Sequence, residues 1–197
     1  MLPELIDLEE RSNSWLSAPS GVSGERNSIM GGLLRNVLTL LLALLRRERN
    51  TPDQRLSSRF LVTPLDVGAI KLKSDRYLRL TEAAQIDFLA RTGLFGTLVR
   101  QRYAFVNASV LIRFTAPIKL FSWLKIESRV IYHDARVTYF EHVFLSGPVR
   151  CACVLVKMKF KHGRQTIAPS MLLGSAGCTE KPDYLQAWDD ALAQNWP

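Results

Sequence analysis

Residues 63–94 read TPLDVGAIKLKSDRYLRLTEAAQIDFLARTGL, and this stretch decides the fold. Its first part is the end of a strand followed by a polar loop carrying Lys71 and Lys73. Ser74 and Asp75 then stand where a helix begins, since both residue types accept hydrogen bonds from the first free N–H groups. Tyr77, Leu80, Ala84 and Phe88 fall at i, i+3, i+7 and i+11, one apolar face of a helix. Leu80–Gln85 is rich in helix formers, and Gly93 is a stop signal. The spacing predicts a helix over 76–92. It aims Asp66, Asp75 and the free N–H groups of a helix start at one small region, an arrangement suited to chemistry on an acyl group.

Upstream, residues 59–63 form a short strand with Phe60 and Val62 on one face. Four strand candidates lie downstream. Residues 105–114 alternate, with Val106, Ala108, Val110, Ile112 and Phe114 opposite Asn107, Ser109 and Arg113. Residues 124–132 set Leu124, Ile126, Val130 and Tyr132 against Lys125, Glu127 and Arg129. Residues 137–145 are aromatic and β-branched and run into the Ser146-Gly147-Pro148 turn. Residues 149–161 send Ala152, Val154, Val156, Met158 and Phe160 inward and Lys157, Lys159 and Lys161 toward solvent. Strands in hairpin succession, each with one polar face, mark an antiparallel sheet. One early helix and such a sheet predict an α+β domain with the helix lying on the sheet.

The rest of the chain divides around this body. Residues 1–29 are broken by Pro19-Ser20-Gly21 and Ser23-Gly24 and read as a peripheral segment, which leaves open Met30 as the true start of translation. Residues 30–49 contain MGGLLRNVLTLLLALL. Their apolar run is well short of the ~20 residues needed to span a bilayer. Arg35 lies inside the stretch and Arg46, Arg47 and Arg49 follow it. Two readings stay open, a helix packed on the domain or one lying on an anionic membrane surface as a peripheral contact. Residues 50–178 make the main domain, entered through an Asn50-Thr51-Pro52-Asp53 linker. Residues 179–197 end in a short helix with Leu185, Trp188, Leu192 and Trp196 at helical spacing.

The 197-residue chain has length for one well-cored domain, and its 22% charged content is ordinary. The net charge of +8 is uneven. Five acids against two arginines give residues 1–29 a charge of −3, leaving +11 elsewhere. A basic body can meet phosphate-bearing ligands, nucleic acid or an anionic bilayer. No arginine-rich run interleaved with aromatics is present, so nucleic acid is not expected. Cys151, Cys153 and Cys178 make no metal spacing, and no metal site is expected. Cys151 and Cys153, two apart on a strand, should point the same way as small core residues. With no secretory signal and no disulfide pattern, the expected location is the cytoplasm, with membrane association through residues 30–49 left open.

The order of elements, with Arg-Tyr-Leu opening the helix, Arg-Thr-Gly-Leu closing it and a strand ending Ile112-Arg113-Phe114-Thr115-Ala116-Pro117, resembles the hotdog-fold thioesterases of the 4-hydroxybenzoyl-CoA thioesterase-like group. The resemblance covers about residues 57–167. It implies an antiparallel sheet wrapped around one central helix, a homodimer or dimer of dimers, and acyl-CoA or acyl-carrier-protein thioesters as substrates. Coenzyme A or phosphopantetheine would enter only as part of the substrate, with no separate cofactor. Many relatives carry Asp-x-x-x-His-x-Asn-Asn-x-x-Tyr in the loop before the helix. Counted back from Tyr77, those positions hold Val67, Lys71, Lys73 and Ser74, and Asp66 lies one residue out of register. Glu82 matches an acidic position of the family helix.

Thioester hydrolysis needs a carboxylate as nucleophile or general base and donors for the developing oxyanion. Asp66, Asp75 and Glu82 are the candidate carboxylates. Asp66 also suits a turn after Pro64, Asp75 a helix cap, and Glu82 an ion pair with Arg79. Lys71, Lys73, Ser74, Arg76 and Tyr77 are the candidate substrate-binding residues, the cations for phosphates or an acidic carrier. A hotdog dehydratase would want a histidine beside its carboxylate, and none lies between Ser57 and Arg91. His133 and His142 read as structural. An acyl-thioester hydrolase is the leading expectation. The alternatives are a non-hydrolytic acyl-binding or interaction protein, and an enzyme that condenses, cyclises or transfers an acyl chain.

Overall fold

The computed structural model describes residues 50–67 and 70–195, so the expectations for residues 1–29 and 30–49 lie outside the described residues. Strands β1 (Leu56–Leu61), β2 (Ala104–Phe114), β3 (Trp123–His133), β4 (Thr138–Ser146), β5 (Val149–His162) and β6 (Gln165–Ile167) form one sheet. Its order is β1-β3-β4-β5-β2, and β6 folds back on the end of β5. Every pairing is antiparallel. Helix α1 (Ser74–Arg91) is followed directly by α2 (Leu94–Arg100), and α3 (Ser170–Leu173) and α4 (Asp183–Asn195) come after the sheet.

α1 lies on one face of the sheet because its apolar stripe can be buried nowhere else. Tyr77, Leu80, Ala84 and Phe88 join Leu124, Ile126, Phe140, Phe144, Val154, Val156 and Met158 in one buried cluster. Phe88 meets Phe140 edge-on at 5.3 Å, and Tyr77 meets Phe144 at 5.2 Å. The helix ends as expected near Gly93, whose φ of 75° is left-handed backbone that glycine adopts without steric cost. Thr92 Oγ1 also donates to the Phe88 carbonyl at 2.8 Å. The chain does not leave the core there: Leu94 and Leu98 of α2 are buried as well. Sequence periodicity missed α2, which is seven residues long and too short to show a repeat.

The second helix face of the domain is built by α4. It covers the outer side of the sheet, where Leu185 and Trp188 pack with Ile131, Tyr132, Val137, Tyr139 and Leu155. Asp189 accepts from Lys157 at 2.9 Å, Lys181 at 2.7 Å and the Tyr139 hydroxyl. Lys157, expected to face solvent, is therefore held under the helix.

Three β-bulges correct the strand readings. An extra residue reverses the facing of everything beyond it. Ala108 is extra in β2 opposite β5, so Phe105 packs inward and Val106 outward, half exposed. Ile131 is extra in β3, which turns Tyr132 to the outer face beside Tyr139. Cys151 is extra in β5. It packs into the inner core, whereas Cys153 lies within 4.0 Å of Glu141 with Arg129 and Arg150 around it. The two thiols do not share a face.

Candidate active site

The loop before α1 is built as a closed hub. Pro64–Asp66 form a single 3-10 turn. Asp66 Oδ2 accepts from the Thr63 backbone N–H at 2.9 Å and its hydroxyl at 2.7 Å, a reciprocal cap in which the side chain of each residue answers the other. Val67 and Leu72 then pair as an isolated bridge, both buried. The Lys73 N–H, just before the first turn of α1, donates to the Asp66 carbonyl at 3.2 Å. Asp66 and the helix start are thus brought together, seven residues apart in sequence.

The β2–β3 crossover pins the hub from its other side. Leu72 N–H donates to the Ile118 carbonyl at 2.9 Å, Leu120 N–H to Ile70 at 3.0 Å, and Lys71 bridges Lys119. Ile118 is fully buried. No part of this support is contiguous in sequence with the loop.

The candidate residues separate by environment. Asp66 is 3% exposed. Asp75 is an exposed carboxylate with Oδ2 at 3.4 Å from Arg76 Nε, and the Arg76 side chain is itself largely buried. Glu82 faces solvent on α1 and makes no ion pair among the described residues. Lys71, Lys73 and Ser74 are exposed around the hub. Tyr77 is buried, and its ring meets Phe114 edge-on at 4.9 Å. Burial, with a smaller contribution from the Cys151 thiol, pushes the Tyr77 phenol up, so the ring keeps its proton. The structure brings Asp66, Lys73, Ser74, Asp75, Arg76 and Tyr77 to one end of α1 and leaves Glu82 about two turns along it.

Apart from His142, read as structural, sequence reasoning missed the polar groups buried between α1 and the sheet. Asp87 accepts from Ser58 Oγ at 2.6 Å and from Arg91 at 3.4 Å, and Arg91 also donates to the Ser57 carbonyl. Gln85 and Asn107 exchange hydrogen bonds at 3.1 and 3.2 Å. His142, fully buried, stands 2.8 Å from Ser128 Oγ through Nδ1. Burial pushes its imidazole down to about 3. Asp87, four residues before Arg91, carried the i, i+4 spacing of a helical ion pair. The pairing of Ser128 with His142 depends on strand register and left no local signal. Among the described residues, no group of three or more His, Cys, Asp and Glu could hold a metal.

Comparison with known proteins agrees with this architecture. The chain is 28% identical over 131 residues to Protein THEM6 of Drosophila melanogaster, covering 65% of this chain and 67% of that one. A probable thioesterase from Bartonella henselae superposes with a TM-score of 0.54 at 20% identity, over 58% of this chain and 98% of that one. The probable thioesterase YbaW from Escherichia coli gives 0.55 at 20% identity, over 60% and 92%. These likenesses establish the hotdog fold. The model of the thioesterase-like superfamily matches residues 63–175, more than half of the chain and the whole of the hub, α1 and the sheet beyond β1, and the chain belongs to that superfamily.

Proposed function

We propose that the protein hydrolyses acyl thioesters of coenzyme A or of an acyl-carrier protein, with Asp66 as the working carboxylate. The observation that carries this reading is the Lys73 N–H to Asp66 carbonyl bond, which fixes a buried acid beside the first free N–H groups of an 18-residue helix. Two donors from Thr63 on one carboxylate oxygen hold the group oriented. Asp75 is the weaker candidate because it is exposed and shares its charge with Arg76.

In this mechanism Asp66 takes a proton from water as the water oxygen bonds to the thioester carbonyl carbon. The oxyanion meets backbone N–H groups at the start of α1, among them Ser74 and Asp75, where the helix dipole favours negative charge. The carbon–sulfur bond then breaks, and the proton held by Asp66 passes to the departing thiolate. Lys71 and Lys73 are offered to the phosphates of coenzyme A or to acidic side chains of a carrier. Tyr77 and Phe114 supply an aromatic wall for the acyl group. The edge position of β2 supports a homodimer joined strand to strand.

Thiol release measured across aliphatic and aryl acyl-CoA and acyl-carrier substrates tests the reading. Loss of a positioned general base typically costs about 10²- to 10⁴-fold, so Asp66→Asn should fall in that range. Asp75→Asn and Glu82→Gln should stay within a few-fold of the parent. Absence of turnover on every substrate would sink the hydrolase. One observation favours the runner-up, a protein that binds acyl groups without cleaving them. Thr63 already occupies Asp66 Oδ2 with two hydrogen bonds, as a purely structural turn acid would require. Acyl-CoA binding by calorimetry with no product would establish that alternative.

A further inference from the structure

The loop tips beside the hub carry large apolar side chains that are exposed among the described residues. Ile70 is 67% exposed, Phe121 66% and Trp123 67%, with Leu61 beside them at 41%. They come from two segments, 61–70 and 120–123, that backbone bonds tie side by side. Leu61 pairs with Trp123 in the sheet. Val62 and the 121–122 turn exchange backbone bonds of 2.9 and 3.1 Å, and Leu120 N–H is tied to the Ile70 carbonyl at 3.0 Å. Phe121 has a φ of 58°, a left-handed conformation that is strained for a bulky residue and is held here by those bonds.

Basic side chains flank these tips. Arg59 lies two residues from Leu61 on the same strand face, and Lys119 stands two residues before Phe121. Neither makes an ion pair among the described residues, and Lys71, bridged to Lys119, does not either. The nearest acid in the sheet, Glu127, is taken up by Lys125 at 2.6 Å and Arg55 at 3.0 Å.

We propose that this edge of the molecule, the Ile70, Phe121 and Trp123 tips with Arg59 and Lys119, docks on an anionic phospholipid surface. Aromatic rings sit at the headgroup level of a bilayer, and unpaired cations beside them are drawn to its negative surface potential. Side chains that project from loop tips enter a headgroup layer, whereas a groove would be needed to receive a partner helix. A second copy of the chain is disfavoured, because a two-fold contact would set the unpaired cations against themselves. The contact is distinct from the one open to residues 30–49 and stands whether or not the hydrolase reading does.

Flotation of the full chain with phosphatidylcholine vesicles, alone and with about a third phosphatidylglycerol, tests it. Binding should need the anionic lipid and weaken with salt. It should drop about tenfold in Ile70→Ser/Phe121→Asn/Trp123→Thr and also in Arg59→Glu/Lys119→Glu, with unchanged circular dichroism. Brominated lipid should quench tryptophan emission of the unaltered chain and lose that quenching in Trp123→Phe. Equal flotation of the tip variants, or quenching that survives Trp123→Phe, overturns the proposal. Capture of the chain by an acidic carrier protein but not by vesicles overturns it as well.

Discussion

His142 shows at the residue scale how a buried side chain ties stability to pH. Its imidazole is neutral in the fold, pushed down to about 3 by burial, while in the unfolded chain it titrates near its ordinary value of about 6.5. Below that value the unfolded chain gains a proton that the folded one refuses, so stability falls with pH down to the folded value. The slope from one such group is about 1.4 kcal/mol per pH unit. Urea midpoints at pH 7.5 and pH 5 should therefore converge in His142→Gln, relative to the unaltered protein. Asp66 makes the complementary point about legibility. Its place after Pro64 was readable, as was its closeness to a helix start. Its burial was not, because the loop is closed by residues 118–120, which pair with residues 70–72 from over forty residues away. Removing the Thr63 hydroxyl with Thr63→Val takes away one of the two donors that Thr63 gives Asp66. If Asp66 works as proposed, kcat should drop several-fold, with KM changed less, in steady-state assays.

At the scale of elements, α4 is a clasp closed on one carboxylate. Burial alone would push Asp189 up, but the hydrogen bonds from Lys181, Tyr139 and Lys157 outweigh it and hold the group below its usual range. The stabilisation is present above the ordinary carboxyl value of about 4 and is lost as pH falls through the lower folded value. Asp189→Asn should cost about 2 kcal/mol in denaturant unfolding, since it leaves two partly buried ammonium groups without their anion. Protease cleavage ahead of α4 should rise with it. The helix was legible from Leu185 and Trp188; what it covers was not. Regular alternation made each strand recognisable, yet one extra residue at Ala108, Ile131 and Cys151 reversed the facing of Phe105, Val106, Tyr132 and one of the two nearby cysteines. A bulge is set by the partner strand's register, and no single strand's sequence contains that information.

The whole molecule has two sheet edges of different character. β1 is short and ends in the lysine-rimmed tips, the kind of edge that resists pairing. β2 is eleven residues long and has one side unpaired among the described residues, with Val106, Leu111 and Phe114 about half exposed along it. Light scattering should give a dimer for the parent chain, and Leu111→Lys should shift it toward monomer by placing like charges near the two-fold axis. The fold class was readable from the order of helix and hairpins because those signals are local. The homodimer or dimer of dimers that the resemblance implies is what the light-scattering measurement tests. The outer placement of α4 carries a consequence of its own kind. Hotdog dimers can in principle enlarge by stacking sheets back to back, and here Leu185 and Trp188 already fill the hydrophobic stripe that stacking would use. On the proposed dimer the last helix would thereby cap growth: a chain ending near Pro182 should run larger than the intact one on a sizing column, with Ile131, Val137 and Tyr139 of one dimer laid against those of the next.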